Sequence, residues 1–281
     1  MSDPDASLMK ATLHFSQSWR WRSAKYWRPL LKVLKGHDLT IHVYTHCWNE
    51  EKMLPYFFRH YDGIADRYFV FDTGSTDRSL EILRSHSRTQ LSTVMSGGDS
   101  FVEENTARQN EFWKQSRGVA DWVIVTAIDE HLYHPDLNGY LKRCRDEGIT
   151  LIKAEGYEMV SNEFPRGVKP LYKLIKLGMR SAQWFDKVQA FDPDKIEEIN
   201  YEPGRHVAHP TGEVIMPAAG EVKLLHYKFL GLDYVVRRYS QLKTGLRPKD
   251  IKMSWGSQYL WDLEKIVAQY EKIKSNAVQV I

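Results

Sequence analysis

Residues 121–135 read DWVIVTAIDEHLYHP. The run from Trp122 to Ile128 is apolar and β-branched, the composition of a strand covered on both faces. It opens directly onto Asp129, Glu130, His131 and His134. In a parallel α/β sheet the ligand sits beyond the carboxyl ends of the strands, which is where such a run delivers carboxylates and imidazoles. An acidic cluster at a strand end also occurs as a solvated loop, so the stretch takes its meaning from what surrounds it.

On either side the chain alternates. LTIHVYTHCW, from Leu39, and RYFVFDTGS, from Arg67, read as strands closed by polar turn residues. Between them Met53, Leu54, Phe57, Phe58 and Tyr61 recur at helical spacing, with Asn49 placed to cap that helix and Pro55 to delay its regular start. TDRSLEILRSH reads as a helix capped by Thr76 or Asp77, LSTVM as a short strand and ENTARQNEFWKQSR as a helix. TLIKAEG, from Thr150, is a further strand. This order predicts an α/β fold, a mostly parallel sheet flanked by helices with right-handed crossovers. Beyond residue 157 prolines loosen the pattern. Helical periodicity returns at LDYVVRRYSQLKTGL and at QYLWDLEKIVAQYEKI, where Leu260, Leu263, Val267, Tyr270 and Ile273 form one stripe. The expected division is an N-terminal extension, 1–36, a catalytic domain, 37–232, and a C-terminal helical segment, 233–281.

A chain of 281 residues with 42% hydrophobic content can bury a sizeable core. Its net charge of +3 demands no polyanionic partner, and no nucleic acid is expected. Cys47 and Cys144 are far apart and lack metal-ligand spacing, which suits a reducing compartment. No run approaches the ~18 apolar residues of a membrane span, and MSDPDASLMK has no apolar signal core. The expectation is a cytoplasmic protein. Residues 1–36 are basic and aromatic, with Arg20, Arg22, Lys25 and Arg28 among Trp19, Trp21 and Trp27. Two readings stay open: a contact with an anionic membrane, peripheral on its inner face, or a basic helix packing its aromatics on the main domain.

Four strand ends carry chemistry: HCWNEE, FDTGSTD, AIDEH and, near residue 226, LLHYKF. Asp72 and Asp77 bracket Gly74 at a sharp strand-to-helix turn, where a carboxylate can accept from a ring N–H; an ordinary turn with a helix cap explains them too. Taken in order, CWNEE, FDTGSTDRSLEIL, ARQN, ADWVIVTAIDEHLYHP and HYKFLGLDY resemble the GT-A glycosyltransferases of family 2, most closely the small bacterial enzymes that build surface polysaccharides such as capsule and lipopolysaccharide. The resemblance covers the chain from about Leu39 to Lys265.

That resemblance implies a GT-A fold and a nucleotide-sugar donor, UDP-, GDP- or dTDP-linked, with a glycan or lipid-linked glycan as acceptor. Asp72 and Asp77 match the acidic positions that contact base and ribose, and Arg108 the basic position near base and diphosphate. Asn49, Glu50 and Lys228 are further donor-site candidates. Asp129 matches the second Asp of the D-x-D metal motif, and His226 the downstream histidine that completes the metal site or meets the diphosphate. A hard divalent cation, Mn²⁺ or Mg²⁺, would stabilise charge developing on the leaving diphosphate, with a histidine ligand favouring Mn²⁺.

Ala127 departs from the pattern, since it aligns with the first Asp of D-x-D. An active natural variant, a substitution introduced to trap a complex, and an inactive or metal-free enzyme all remain open. For the base of an inverting transfer the candidates are Glu155, Glu158, Glu163 and Asp186, with Glu158 favoured because it falls just past the strand at 150–156. His206 and His209, three apart, could pair on a metal, but the resemblance places their loop over the donor site and so implies a phosphate or acceptor contact; Lys187 is a candidate phosphate partner. The rival class is a non-catalytic GT-A-like binding subunit of a polysaccharide assembly. A zinc hydrolase built on His131 and His134 lacks the H-E-x-x-H helix, which Pro135 would break.

Overall fold

The computed structural model describes residues 39–94, 97–181 and 185–281, so the segment 1–36 lies outside the described residues. The first half alternates: β1 Ile41–Cys47, α1 Leu54–Tyr61, β2 Arg67–Asp72, α2 Ser79–Ser85, β3 Thr89–Thr93, α3 Phe101–Glu111 and β4 Trp122–Val125. The chain continues through β5 Glu130–Tyr133, α4 Leu137–Asp146, β6 Leu151–Ser161, α5 Leu171–Leu174, β7 Leu177–Arg180 and β8 Lys187–Phe191. A hairpin of β9 Ile196–Glu198 and β10 Thr211–Gly212 precedes β11 Lys223–Leu230. Then come α6 Leu232–Gly245, α7 Pro248–Lys252, α8 Leu263–Ser275 and β12 Val278–Gln279.

The fold is mixed α/β with a parallel centre, β3-β2-β1-β4, flanked by helices. Beyond β4 the sheet turns antiparallel through β8, β6, β7 and β12, while β11 pairs parallel with β6 and antiparallel with β5. Strand periodicity sends alternate side chains to opposite faces. Ile41, Val43, Val70 and Ile124 meet Leu54, Phe57, Phe58 and Tyr61 of α1 and Leu141 of α4 on one face. Tyr44, Phe69, Phe71, Val123 and Val125 meet Trp113 on the other. Each fully buried ring or branched chain here contributes roughly 1.5–3 kcal/mol by leaving water, so the central strands are held from both sides.

Several expectations shift. Regular helix does begin late, at Leu54, with Pro55 in its first turn, but Asn49 caps something else, as described below. The helix expected through residue 117 ends at Glu111 and tightens into a 3-10 turn, Phe112–Ser116. There the Ser116 hydroxyl is held by His42 Nδ1, at 2.7 Å, and Tyr44 Oη, at 2.6 Å, of β1. The stripe of the last helix is carried by Ile266, Tyr270 and Ile273, because Leu260 and Leu263 face outward. The segment 233–281 is helical but tied in: Val235, Tyr239, Ile266 and Ile273 pack on Val160 and Phe229, and β12 returns to the edge of β7.

Three shifts bear on the site. β4 ends at Val125, and residues 126–129 leave the sheet in a turn. β6 runs on to Ser161, which puts Glu158 inside the strand rather than past it. His226 sits in the middle of β11, not at its end.

Candidate functional site

Asp129, Glu130, His131 and His134 of the deciding stretch go to four environments. Glu130 is buried, its carboxylate held by Lys187 Nζ and Arg205 Nη2, each at 2.6 Å. Burial alone would raise its pKa, but the two cations hold it well below the usual carboxylate range. His131 lies in the core against His60, ring centres 4.5 Å apart, and burial, then His60, keeps it neutral. His134 accepts from the Asp136 backbone N–H at 3.0 Å and stacks on Tyr140. Asp129, in the turn after β4, keeps its side chain 29% exposed and meets His226 of β11.

Register brings its partners. Tyr227 N–H donates to the Asp129 carbonyl at 2.8 Å, and in the antiparallel β5–β11 ladder His226 faces Glu130. This places His226 Nε2 3.3 Å from Asp129 Oδ2. On the other side of β11 the parallel ladder sets His226 opposite Glu158, whose Oε2 lies 2.8 Å from Nδ1. That approach is out of line for a hydrogen bond, so it is a charge contact. Phe185 stacks on the imidazole, with ring centres 5.0 Å apart. Burial opposes charge on His226, but Glu158 and Asp129 outweigh it and raise its pKa to about 10. Asp129 falls to about 2: burial would raise it, and His226 prevails.

A β-bulge follows, since β11 advances from His226 to Phe229 while β6 advances only from Glu158 to Val160. Bulges re-aim side chains, and this one turns Lys228 toward the rings of Tyr239 and Tyr259, 5.0 and 4.9 Å from their centres. Lys228 has no acidic partner among the described residues.

The turns after β1 and β2 are stitched together. Asp72 is fully buried, with Gly74 N–H, Ser75 N–H and the Ser75 hydroxyl donating to it, so its carboxylate builds the turn. Asn49, at a φ of 55°, accepts from Thr76 and Asp77 N–H and so caps the β2 turn rather than α1. Asp77 accepts from Ser79 N–H at 2.9 Å and Glu51 N–H at 3.1 Å. Glu50 is paired with Arg238 of α6, which also donates to the Asn49 carbonyl at 2.9 Å. Burial pushes Glu50 up to about 8 against the pull of Arg238. Arg108 is tethered to Asn105 and Glu104, and borders a narrow pocket with Tyr44, His46, Phe71 and Trp113.

The structure thus brings Asp129, His226 and Glu158 together, with Lys228 on the same strand as His226. Lys187 is spent on Glu130 and does not face a ligand. His206 and His209 part: His209 pairs with Glu202 at the surface, while His206 packs beside Phe185. Among the other base candidates, Asp186 is held by Arg180 at 2.8 Å and by Gly156 N–H at 2.9 Å, Glu155 meets Tyr157 Oη at 3.2 Å, and Glu163 is exposed. Sequence reasoning missed Arg238 and Arg205. Arg238 carried a signal, because it lies on the buried stripe of Tyr234, Val235 and Tyr239.

A divalent cation fits Asp129 and His226. Ligand bonds of about 2.1 Å at right angles put neighbouring ligand atoms about 3 Å apart, close to the 3.3 Å seen here. Glu158 stands behind the ring at Nδ1, where a carboxylate fixes a ligating histidine. Among the described residues no three His, Cys, Asp or Glu side chains form a complete metal cluster. The remaining ligands would have to come from water and phosphate, as is usual for Mg²⁺.

No protein-family profile matches this sequence, and no curated protein sequence matches it. Among solved structures it is similar to S. aureus TarS 1–349, at 10% identity and TM-score 0.38, over 72% of this chain and 64% of that one. It is also similar to glucosyl-3-phosphoglycerate synthase from Mycobacterium tuberculosis in complex with Mg²⁺ and UDP, at 18% identity and TM-score 0.38, over 63% of this chain and 65% of that one. The chain spans less than two thirds of these proteins, and 28% of the longer TarS chain. No described helix is long and apolar enough to cross a membrane.

Proposed function

We propose that the chain is a GT-A glycosyltransferase that moves a sugar, of hexosyl type, from a nucleotide-diphosphate donor to a surface-polysaccharide or glycolipid acceptor on the cytoplasmic side of a membrane. The single observation that carries this reading is the contact of Asp129, in the turn beyond the carboxyl end of β4, with His226 of β11. Asp129 and His226 would hold a divalent cation, Mn²⁺ or Mg²⁺, which when bound supplies positive charge for the leaving diphosphate. The charge count supports it. His226 already faces Asp129 and Glu158, and Arg238 faces Glu50, so of these cations only Lys228 is left to meet a diphosphate, whose charge exceeds it.

In this reading Lys228 meets a phosphate oxygen, while Asp77, Asn49 and Arg108 shape the nucleoside end. Asp72 acts through the turn that it builds. Glu158 was favoured as catalytic base on a position past its strand; its contact with His226 Nδ1 fits orienting the imidazole instead, and we assign it that role.

The test is release of nucleoside diphosphate from a panel of UDP-, GDP- and dTDP-sugars, with Mn²⁺, with Mg²⁺ and with chelator. Failure of every donor to bind or turn over would sink the proposal. Donor binding without turnover would favour the second reading, a non-catalytic GT-A-like subunit, which Ala127 at the D-x-D position supports.

A further inference from the structure

The segment following α6 has its polarity inverted. The one buried residue of α7 is an aspartate, Asp250, fully enclosed. Its carboxylate accepts from the Ser100 hydroxyl at 2.6 Å, from Phe101 and Val102 N–H at the start of α3, and from Arg247 N–H. Lys249 and Arg247 add ties to Glu103 and the Gly98 carbonyl. The polar side of the segment is therefore bolted inward, and its apolar residues face out: Ile251 is 50% exposed, Met253 50%, Leu260 41%, Trp261 37% and Leu263 60%. The 3-10 turn Ser257–Leu260 buries none of its residues. Hydration of so much apolar surface in a window this short is unfavourable, and such patches mark contacts with something apolar.

Charge identifies the occupant. Lys243, Lys252 and Lys265 are exposed and have no acidic partner among the described residues. Of the acids in this window, Asp250 is enclosed, while Asp262, which caps Lys265 N–H, and Glu264 are exposed, so the three lysines outnumber the exposed acids. Outward aliphatic residues, a tryptophan and lysines on a rigid platform match the interface of an anionic bilayer, with apolar groups below the headgroups and lysines among the phosphates. We propose that residues 243–265 form a surface that docks on anionic lipid membrane. Tyr259 of the same platform covers Lys228, so docking would set the crevice beside the bilayer; only that consequence rests on the glycosyltransferase reading.

The test is sedimentation of the full chain with phosphatidylcholine vesicles containing phosphatidylglycerol, and with phosphatidylcholine alone. Binding is expected to the first, and to fall about tenfold or more in Ile251→Ser/Trp261→Ser/Leu263→Ser, with thermal midpoint and nucleotide-sugar turnover unchanged. The single variants Ile251→Ser and Leu263→Ser, at positions half or more exposed, give a graded loss should the triple variant not fold. Three results overturn the proposal: no binding by the parent chain, equal binding by the variants (which moves attachment to residues 1–36), or a dimer in light scattering that the triple variant abolishes.

Discussion

Asp129 and Glu130 are neighbours in sequence, both acidic and both paired with cations, yet they belong to different kinds of cluster. Glu130 is closed: its side chain and those of Lys187 and Arg205 are 3–5% exposed, and each carboxylate oxygen has its own cation. Asp129 is open: its side chain is 29% exposed, and its contact with His226 leaves room for further partners. A saturated, dry ion cluster fixes geometry, whereas an unsaturated one at a crevice can exchange partners for a ligand. The closed cluster also serves the open one. Arg205 donates to the Val125 carbonyl at the end of β4, immediately before the turn that presents Asp129.

The comparison can be broken from either side. The largest expected effect is on the closed cluster: Glu130→Ala leaves two buried cations without their partner and should cost about 3–5 kcal/mol. Calorimetry should show a midpoint roughly 10 °C lower for a chain of this size. A shift within a degree or two of the parent would show that the cluster is not what holds this region. The next effect falls on the open cluster. Asp129→Asn should lower metal-dependent turnover by about 10²–10³, and full activity of this variant in excess chelator would refute the metal assignment.

Acid and base sharpen the same contrast. The pair stabilises through a histidine whose folded pKa is raised to about 10 and an aspartate lowered to about 2. The histidine contribution is fully present below its unfolded value, near 6.5, and is lost as pH rises through 10. The aspartate contribution is present above its unfolded value, near 3.8, and is lost as pH falls through 2. The midpoint of the metal-free protein should therefore fall between pH 7 and 10, and the fall should shrink in His226→Gln. An identical decline in that variant would remove His226 as its source.

Smaller still, Glu158→Gln should weaken Mn²⁺ binding about 10- to 100-fold without altering donor preference, as expected for a residue that orients a ligand. Unchanged affinity would return Glu158 to the list of base candidates. Ala127→Asp is expected to keep or raise turnover modestly, and a large loss would count against placing this position near the donor.

The parallel centre of the fold was legible because its strands are continuous apolar runs and α1 carries its apolar residues at helical spacing. Strand lengths were not: β6 gains residues 157–161 by pairing with β11, a contact about seventy positions away. The stripe of α8 slipped because Leu263 is apolar yet faces outward, and pattern alone cannot distinguish the two directions. At the site, Asp129 and His226 came from the resemblance and not from spacing. Of the cations that face Glu130 and Glu50, Arg205 and Arg238 were missed and Lys187 was read as a phosphate partner, because each arrives from a distant element: Arg205 from a 3-10 turn, Lys187 from β8 and Arg238 from α6.

The position of β11 between β5 and β6 sets which changes of chain length the protein can absorb. One strand carries His226, and both of its neighbours in the crevice are fixed by counting along ladders. Inserting or deleting one residue between Lys223 and Leu225 would send the imidazole to the opposite face, since side chains alternate with a period of two. The exposed stretch 216–221, just upstream, is under no such constraint and should accept added or lost residues with the crevice intact. Length variation is thus expected to be tolerated within residues 216–221, and from Lys223 on it erases the site.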